Sequence, residues 1–501
     1  MAKKIIILLL VLTLVLPFAV SCGQNGGGDD TGKATEATGT AGESGDENEY
    51  AEIDAYVQEL AESTDTAGST FTYIGRSSDN FPTEDKETGD IQSDAVYYRQ
   101  RDLADIFGID WTPVITDGGP TTVDQVTNEV TAGGDAYDLV YGNVITVSQY
   151  LFNSGLIRRV DTLEQIDLDR EWWVQSLRDV YSIKNKLFFL RGCATVESFQ
   201  DTDCVLFNKT VASMFPEVNE EELYDLAREG KWTLDEMQRI ASYVPENPTG
   251  TGIYRYANTN GVGLLFSSGL KITNFDEEGA PYIADTLPVE FLDLSQITVE
   301  MFGNKSLTPS WDYRKEESKT SVYKVDEDYD WFVDNKALFQ FSGTGDAIYL
   351  RQYDVTFGIL PMPKGSASQS QYYSYANPWG SGSLTIPKTT KNIDVTATIT
   401  EAMAALSQKY VKSAYYDMLL RGQSIFDMES RDMLDIIFRT VVYDMVDIYS
   451  GGDVNQWGPL MQDLSYDLTY DNSSITSHWK SNAKSTKFTI KGIVKNADRE
   501  D

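Results

Sequence analysis

Six short segments between residues 69 and 153 switch back and forth between two hydrophobic periods, and this restricts the fold more than any other feature. Residues 69–75 are aromatic and β-branched with a period of two, so they read as a strand. Residues 94–107 set Ala95, Tyr98, Leu103 and Ile106 as apolar anchors of a helix. Residues 111–115 read as a second strand. Residues 122–131 read as a second helix, stopped by Gly133-Gly134. Residues 137–141 give a third strand and 147–153 a third helix before Gly155. Strand, helix, strand, helix, strand is the pattern of an open parallel sheet covered by helices, so an α/β class is predicted.

The same mixture continues. Residues 186–191 and 204–208 read as strands, and 220–229 as a helix closed by Gly230. Residues 234–243 read as a helix with Thr233 as N-cap and Glu236 three residues on, a capping box. Strands are predicted at 337–341, 355–360 and 383–386, and helices at 398–411, 414–420 and 430–449. A chain of 501 residues exceeds what one hydrophobic core serves, so at least two lobes are expected.

The N-terminus has another task. Lys3 and Lys4 precede an apolar run, 5–20, that ends at Ser21-Cys22, as a secretory signal segment does. The run is short for a membrane span. Ala19-Val20-Ser21-Cys22 resembles a bacterial lipobox, with Ala19 where Leu is usual, which implies acylation of Cys22. Residues 23–50 are rich in Gly, Ser, Thr, Asp and Glu, and bury too little apolar surface to offset their ordering entropy. They read as a disordered tether spanning on the order of 30 Å.

Several chemistries are disfavoured. A formal net charge of -36 repels nucleic-acid phosphates. The single histidine, His478, argues against His-rich zinc sites and Ser-His-Asp catalysis. Asp326, Asp328 and Asp330 imitate the start of a calcium loop, but Trp331 and Ala337 stand where Gly and Glu are needed. There is no Gly-rich phosphate loop. No general acid/base pair stands out among 77 acidic residues, and no cofactor or metal is implied. Cys193 and Cys204 either pair outside the cell or remain two buried thiols. Trp172, Trp173 and Trp232 read as packing residues.

Several stretches, in this order, are similar to the maltodextrin-binding-like, family 1 solute-binding proteins of ABC importers. They are Tyr137-Asp-Leu-Val-Tyr-Gly142, Asp203-Cys-Val-Leu-Phe-Asn-Lys209, Gly230-Lys-Trp-Thr-Leu-Asp-Glu236, Asn335-Lys-Ala-Leu-Phe-Gln-Phe341, Phe357-Gly-Ile-Leu-Pro-Met-Pro-Lys-Gly365, Ser383-Leu-Thr-Ile-Pro387 and Glu401-Ala-Met-Ala-Ala-Leu406. The resemblance implies a type II periplasmic-binding-protein fold: two α/β lobes with parallel-rich sheets and a ligand cleft at a hinge. Lobe 1 is expected at 69–196 plus 384–430, and lobe 2 at 200–372 plus 431–501. It also implies a monomer that hands a small solute to the membrane subunits of an importer.

In open α/β sheets ligands sit beyond the carboxyl ends of strands. Sugars need flat aromatic faces and a rim of polar groups. The residues just past the predicted strands and at the crossovers are therefore the candidate ligand contacts: Arg76, Asp79, Asn80, Tyr141, Asn143, Glu197, Phe199, Ser342, Thr344, Tyr373, Tyr375 and Trp379. The expected function is a lipid-anchored binder of a small solute, a carbohydrate, on the outer face of the cell membrane. A peptide-binding protein of the same fold, a surface glycoside hydrolase and an adhesin are the alternatives.

Overall fold

The computed structural model describes residues 46–76, 86–195, 197–245, 254–257, 261–303, 332–350, 352–378, 380–421, 428–449 and 458–500. The signal segment, Cys22, tether residues 23–45, Asp79, Asn80, Trp379 and the Asp326–Asp328–Asp330 loop lie outside these residues.

The expected tether runs into a helix at its end. Helix α1, Asp46–Ser63, buries Ile53, Val57 and Leu60, the i, i+4, i+7 stripe of an amphipathic helix. The sequence analysis began its elements at residue 69 and did not find it.

The first sheet follows the predicted alternation. Strands β1 (Thr70–Gly75), β2 (Asp110–Ile115) and β3 (Leu139–Asn143) are joined through helices α2 (Ile91–Phe107) and α3 (Gly119–Thr131). Both β2 and β3 pair parallel with β1. Asp90 caps α2 by accepting from Ser93 N, and Gly108 ends it at φ 61°, a left-handed angle that glycine adopts readily. After β3 the chain makes a π-type turn, Val144–Ser148, and then helix α4, Gln149–Asn153.

Strands β4 (Asp203–Asn208), β5 (Tyr254–Ala257), β8 (Ala337–Gly343) and β9 (Phe357–Pro361) form the second sheet, in the order β5-β8-β4-β9. Here β5 is parallel to β8, while β4 runs antiparallel to both β8 and β9. Strands β6 (Thr273–Phe275) and β7 (Pro281–Ile283) make a separate hairpin. Thr233 caps the helix Leu234–Ala241 by accepting from Glu236 N at 3.2 Å, as expected of the N-cap, while the Glu236 carboxylate accepts from Arg239 Nε.

The chain then returns to the first sheet. Short strand β10 (Ser374–Tyr375) leads to β11 (Gly382–Thr385), which pairs antiparallel with β3. Helix α5, Ile393–Ser407, is buried on all sides from Thr396 to Ser407, which is why its sequence is apolar and small nearly throughout. Helix α6, Ser413–Arg421, follows it after a π-type turn at Gln408–Lys412.

Two expectations need correction. The strand expected at 186–191 is only a set of isolated bridges, Ile183 to Lys186 and Leu190 to Leu384, because this segment crosses between layers and has no continuous neighbour. The helix expected at 430–449 is two helices, α7 (Met428–Arg439) and α8 (Met445–Tyr449). Between them β12 (Val441–Val442) pairs with β10, so tertiary pairing overrides the helical pattern. The chain ends in α9 (Pro459–Thr469) and α10 (Ile475–Ala497).

Cys193 and Cys204 are both free and buried, so they are thiols rather than a disulfide. Burial, with Asp346 and Asp203 nearby, pushes the Cys204 thiol well above its ordinary value and keeps it protonated.

Candidate functional site

The first sheet has the strand order β11-β3-β1-β2. The connection from β1 runs to β2 on one side and that from β2 returns to β3 on the other, so the strand order reverses at β1 and β3, and a ligand crevice is expected beyond their carboxyl ends. Tyr141 fills the space behind it. A Cβ on Gly75 would stand 3.0 Å from the Tyr141 ring, and one on Gly382 2.5 Å from it, so both glycines allow the ring to seat between three strands.

A continuous hydrogen-bonded path runs from this edge to the edge of the second sheet. Val144 N donates to Ser381 O at 3.1 Å, and Ser381 N to Asn377 O at 3.2 Å. Asn377 N donates to Asp201 O at 2.8 Å, and Thr344 N to Thr202 O at 2.9 Å. At the far end Asp203 pairs with Gly343, and Cys204 with Pro361. Two antiparallel crossovers thus join the carboxyl edge of β3 to the carboxyl edges of β8 and β9. The third link is β12, with Ala376 N donating to Val442 O at 3.2 Å.

Around this floor stand groups suited to hydroxyl recognition. Asp346 accepts from Ser342 Oγ and from Gly343 N, both at 2.8 Å, so its carboxylate is held in place at the end of β8. A Cβ at Gly380 would lie 2.1 Å from the Asp201 carboxyl, so a larger residue there would displace that side chain. Asp201, Asp346, Asn377 and Tyr373 are partly exposed, and Arg76 is exposed at the end of β1. Fixed carboxylates and an amide are acceptors for sugar or other hydroxyls, and the guanidinium is a donor.

Several candidate residues are committed to the fold instead. Asn143 Oδ1 accepts from Ile145 N and Thr146 N and so caps the π-type turn. Thr344 Oγ1 donates to Phe199 O, and Phe199 stacks on Tyr415 with centroids 5.6 Å apart. Tyr375 is buried, donates to Asp447 and stacks on Phe266. Tyr141 is 1% exposed and Ser342 6%. These side chains position the edges of the crevice. Glu197 opens the short helix Glu197–Gln200 at the first crossover.

Beneath the crossovers lies a buried polar seam that sequence reasoning missed. Arg191 Nε donates to Gly382 O and Nη1 to Tyr181 Oη, both at 3.1 Å, while its guanidinium lies 3.9 Å from the Tyr443 ring centroid. Asp444 accepts from Ile272 N, Thr273 N, Thr273 Oγ1 and Val446 N, fixing the third link to β6. Burial pushes the neighbouring Asp447 up to about 8. The seam had little sequence signal, since its members come from positions 181, 191, 375, 443 and 447. Asp346 had one: an acid in the first helical turn after a predicted strand.

No protein-family model matches the chain, and no curated protein matches it. Solved structures do. A sugar transporter from Rhizobium etli, in an open conformation, is 13% identical over 84% of this chain and 99% of its own, with a TM-score of 0.52. The chain has the two-lobed solute-binding fold. UspC of M. tuberculosis gives the same TM-score of 0.52 at 12% identity, covering 84% of this chain and 100% of its own. A cyclo/maltodextrin-binding protein complexed with maltotetraose is similar at a TM-score of 0.50 and 11% identity, covering 86% and 97%. The two sheets described above are the two that this fold joins through its crossover segments.

Proposed function

We propose that the chain is a lipid-anchored solute-binding protein that captures a small carbohydrate and presents it to the membrane subunits of an ABC importer. What supports this reading is Asp346, held as an acceptor at the end of β8, together with the two crossover segments that join the strand ends of the two sheets. A hinge of that kind lets two preformed halves close over a ligand through a few backbone angles. Trp379, between Pro378 and Gly380, supplies the aromatic platform in this reading, and Tyr373 stands on the same return crossover. The two-lobed solute-binding fold of the sugar transporter and of the maltotetraose-bound protein supports a carbohydrate over a peptide. The chain acts as a binder in this reading, with Asp346 held by two donors as a hydrogen-bond acceptor. The anchor rests on Cys22 and the polar segment that follows it, and it places a monomer on the outer face of the cell membrane.

Two variants test the two halves of this reading. Asp346→Ala is expected to weaken sugar binding about tenfold, roughly 1.4 kcal/mol, in titration calorimetry. Its melting temperature should change little. Unchanged affinity removes Asp346 from the site. Cys22→Ala is expected to release the protein from the membrane fraction, and retention equal to the parent's contradicts the anchor.

A further inference from the structure

Helix α10 departs from the rest of this acidic chain. Within Ile475–Ala497 there are five lysines and no Asp or Glu, whereas the whole chain has 77 acidic and 41 basic residues. The lysines fall at 480, 484, 487, 491 and 495. At 100° per residue they lie within about 80° of arc, and they extend for roughly 22 Å along the helix. Lys480, Lys484, Lys491 and Lys495 are exposed and have no ion pair among the described residues. Lys487 pairs with Asp285.

The opposite face is buried. Trp479, Ala483, Thr486, Ile490, Ile493 and Ala497 pack inward, with Trp479 edge-on to Phe291 at 5.7 Å. Near the helix's end Lys186 Nζ donates to Ala497 O at 3.0 Å. The helix is therefore fixed at both ends, and its lysine stripe is a rigid line of charge. Beside the stripe stands Phe488, 79% exposed, the most exposed large hydrophobic side chain among the described residues. Its neighbours on that face are small: Ser481 and Ser485 bond back to His478 O and Asn482 O, and Gly492 has open space around it. Nothing bulky shields the ring.

We infer that this face of α10 docks on an anionic phospholipid surface. A straight row of lysines, with one carboxylate, Asp285, beside Lys487, matches a plane of negative headgroups better than a shaped protein pocket. The small residues let the helix approach closely, and a single protruding aromatic suits insertion among the headgroups. The net charge of -36 does not cancel this, because screening within about 10 Å makes the membrane respond to the nearest face. The acidic remainder is pushed away, so the contact also orients the molecule. The inference rests on the proposed placement at the outer membrane face.

The test uses the full chain with Cys22→Ser, so that no acyl group contributes, sedimented with vesicles. One set is phosphatidylcholine alone and the other contains one-third phosphatidylglycerol. At about 50 mM salt the protein is expected to sediment with the anionic vesicles and not the neutral ones, and to be released at about 500 mM. Replacing Lys480, Lys484, Lys491 and Lys495 together by Glu is expected to lower partitioning at least about hundredfold. Phe488→Ser should lower it about tenfold at an unchanged melting temperature. Should the fourfold variant melt early, the Phe488→Ser and salt arms decide. The inference is overturned if the parent ignores anionic vesicles, binds neutral ones equally, or is retained by polyglutamate instead. It is also overturned if the folded fourfold variant binds like the parent. Sugar affinity is read in the same preparation. Sugar binding without vesicle binding removes this inference alone, and vesicle binding without sugar binding removes the functional reading alone.

Discussion

Two buried carboxylates, one on α5 and one on α8 in the seam beneath the crossovers, are treated in opposite ways. Glu401, on α5, is saturated: it accepts from Trp172 Nε1 at 2.9 Å, Trp173 Nε1 at 2.8 Å, Tyr56 Oη at 3.2 Å and Asp167 N at 3.3 Å. One side chain thereby ties α5 to α1 and to the loop around 167–173. Asp447, in the seam under the crossovers, accepts from Tyr375 alone through Oδ2. Its Oδ1, together with Arg191 Nη2, Tyr443 Oη and Tyr449 Oη, makes no hydrogen bond among the described residues. A fully paired buried network fixes one arrangement, while an incompletely paired one tolerates others. The difference fits a rigid packing around Glu401 and, under the proposed function, a seam beneath the crossovers that can change its pairing.

The largest expected effect is at the saturated site. Glu401→Ala leaves two indole N–H groups and a tyrosine hydroxyl buried without an acceptor, and should destabilise the protein by about 3–5 kcal/mol in urea unfolding. A loss below about 1 kcal/mol would mean that the clamp is not structural. Its pH signature is also distinct. Burial pushes Glu401 up to about 7 against the pull of its four donors. The folded state therefore holds a proton that the unfolded state releases near 4.5, so this part of stability is present below 4.5 and lost as pH rises through about 7. Glu401→Gln should flatten that slope.

Next comes Arg191, which links the return strand, through Gly382 O, to Tyr181 and the Tyr443 ring. Arg191→Met keeps the volume and removes the buried charge. An expected loss of about 1–3 kcal/mol, smaller than at Glu401, would support an underpaired seam. A larger loss than at Glu401 would reverse the comparison.

How much of this was legible in the sequence follows the same division. The elements of lobe 1 come from local period and local caps, so 69–153 could be read nearly element by element. Thr233 and Glu236 marked a helix start for the same reason. The pairing of β12 with β10 is non-local and overrode a helical pattern at 430–449. The residue Glu401 was quoted only as part of a motif, because its four donors come from two segments more than 200 positions away in the chain. The strand-end rule selected Asn143, Thr344 and Tyr375 as ligand contacts, although each is tied into the fold, and passed over Asp346, which is held at the end of β8. That distinction depends on side-chain direction at turns and crossovers, which hydrophobic period does not encode.

The smallest effect is expected at Asp447. Because burial holds this group up to about 8, it is neutral at pH 7 in the folded protein, and asparagine imitates that form. Asp447→Asn should change stability by less than about 1 kcal/mol at pH 7. Stability that the parent holds below pH 3.8 and loses as pH rises through about 8 should lose this contribution to its slope. A cost as large as that of Glu401→Ala would show that the seam is as fully paired as the packing around Glu401.

The central claim, a hinged crevice that closes on a small carbohydrate, is tested most directly by thermal unfolding of the folded chain across a panel of mono- and oligosaccharides, with peptides alongside. The expected result is that one sugar class raises the melting temperature by a few degrees and is recovered intact. That shift corresponds to about 2.7 kcal/mol at a concentration 100 times the dissociation constant. Stabilisation by peptides alone, or recovery of cleaved sugar, would contradict it.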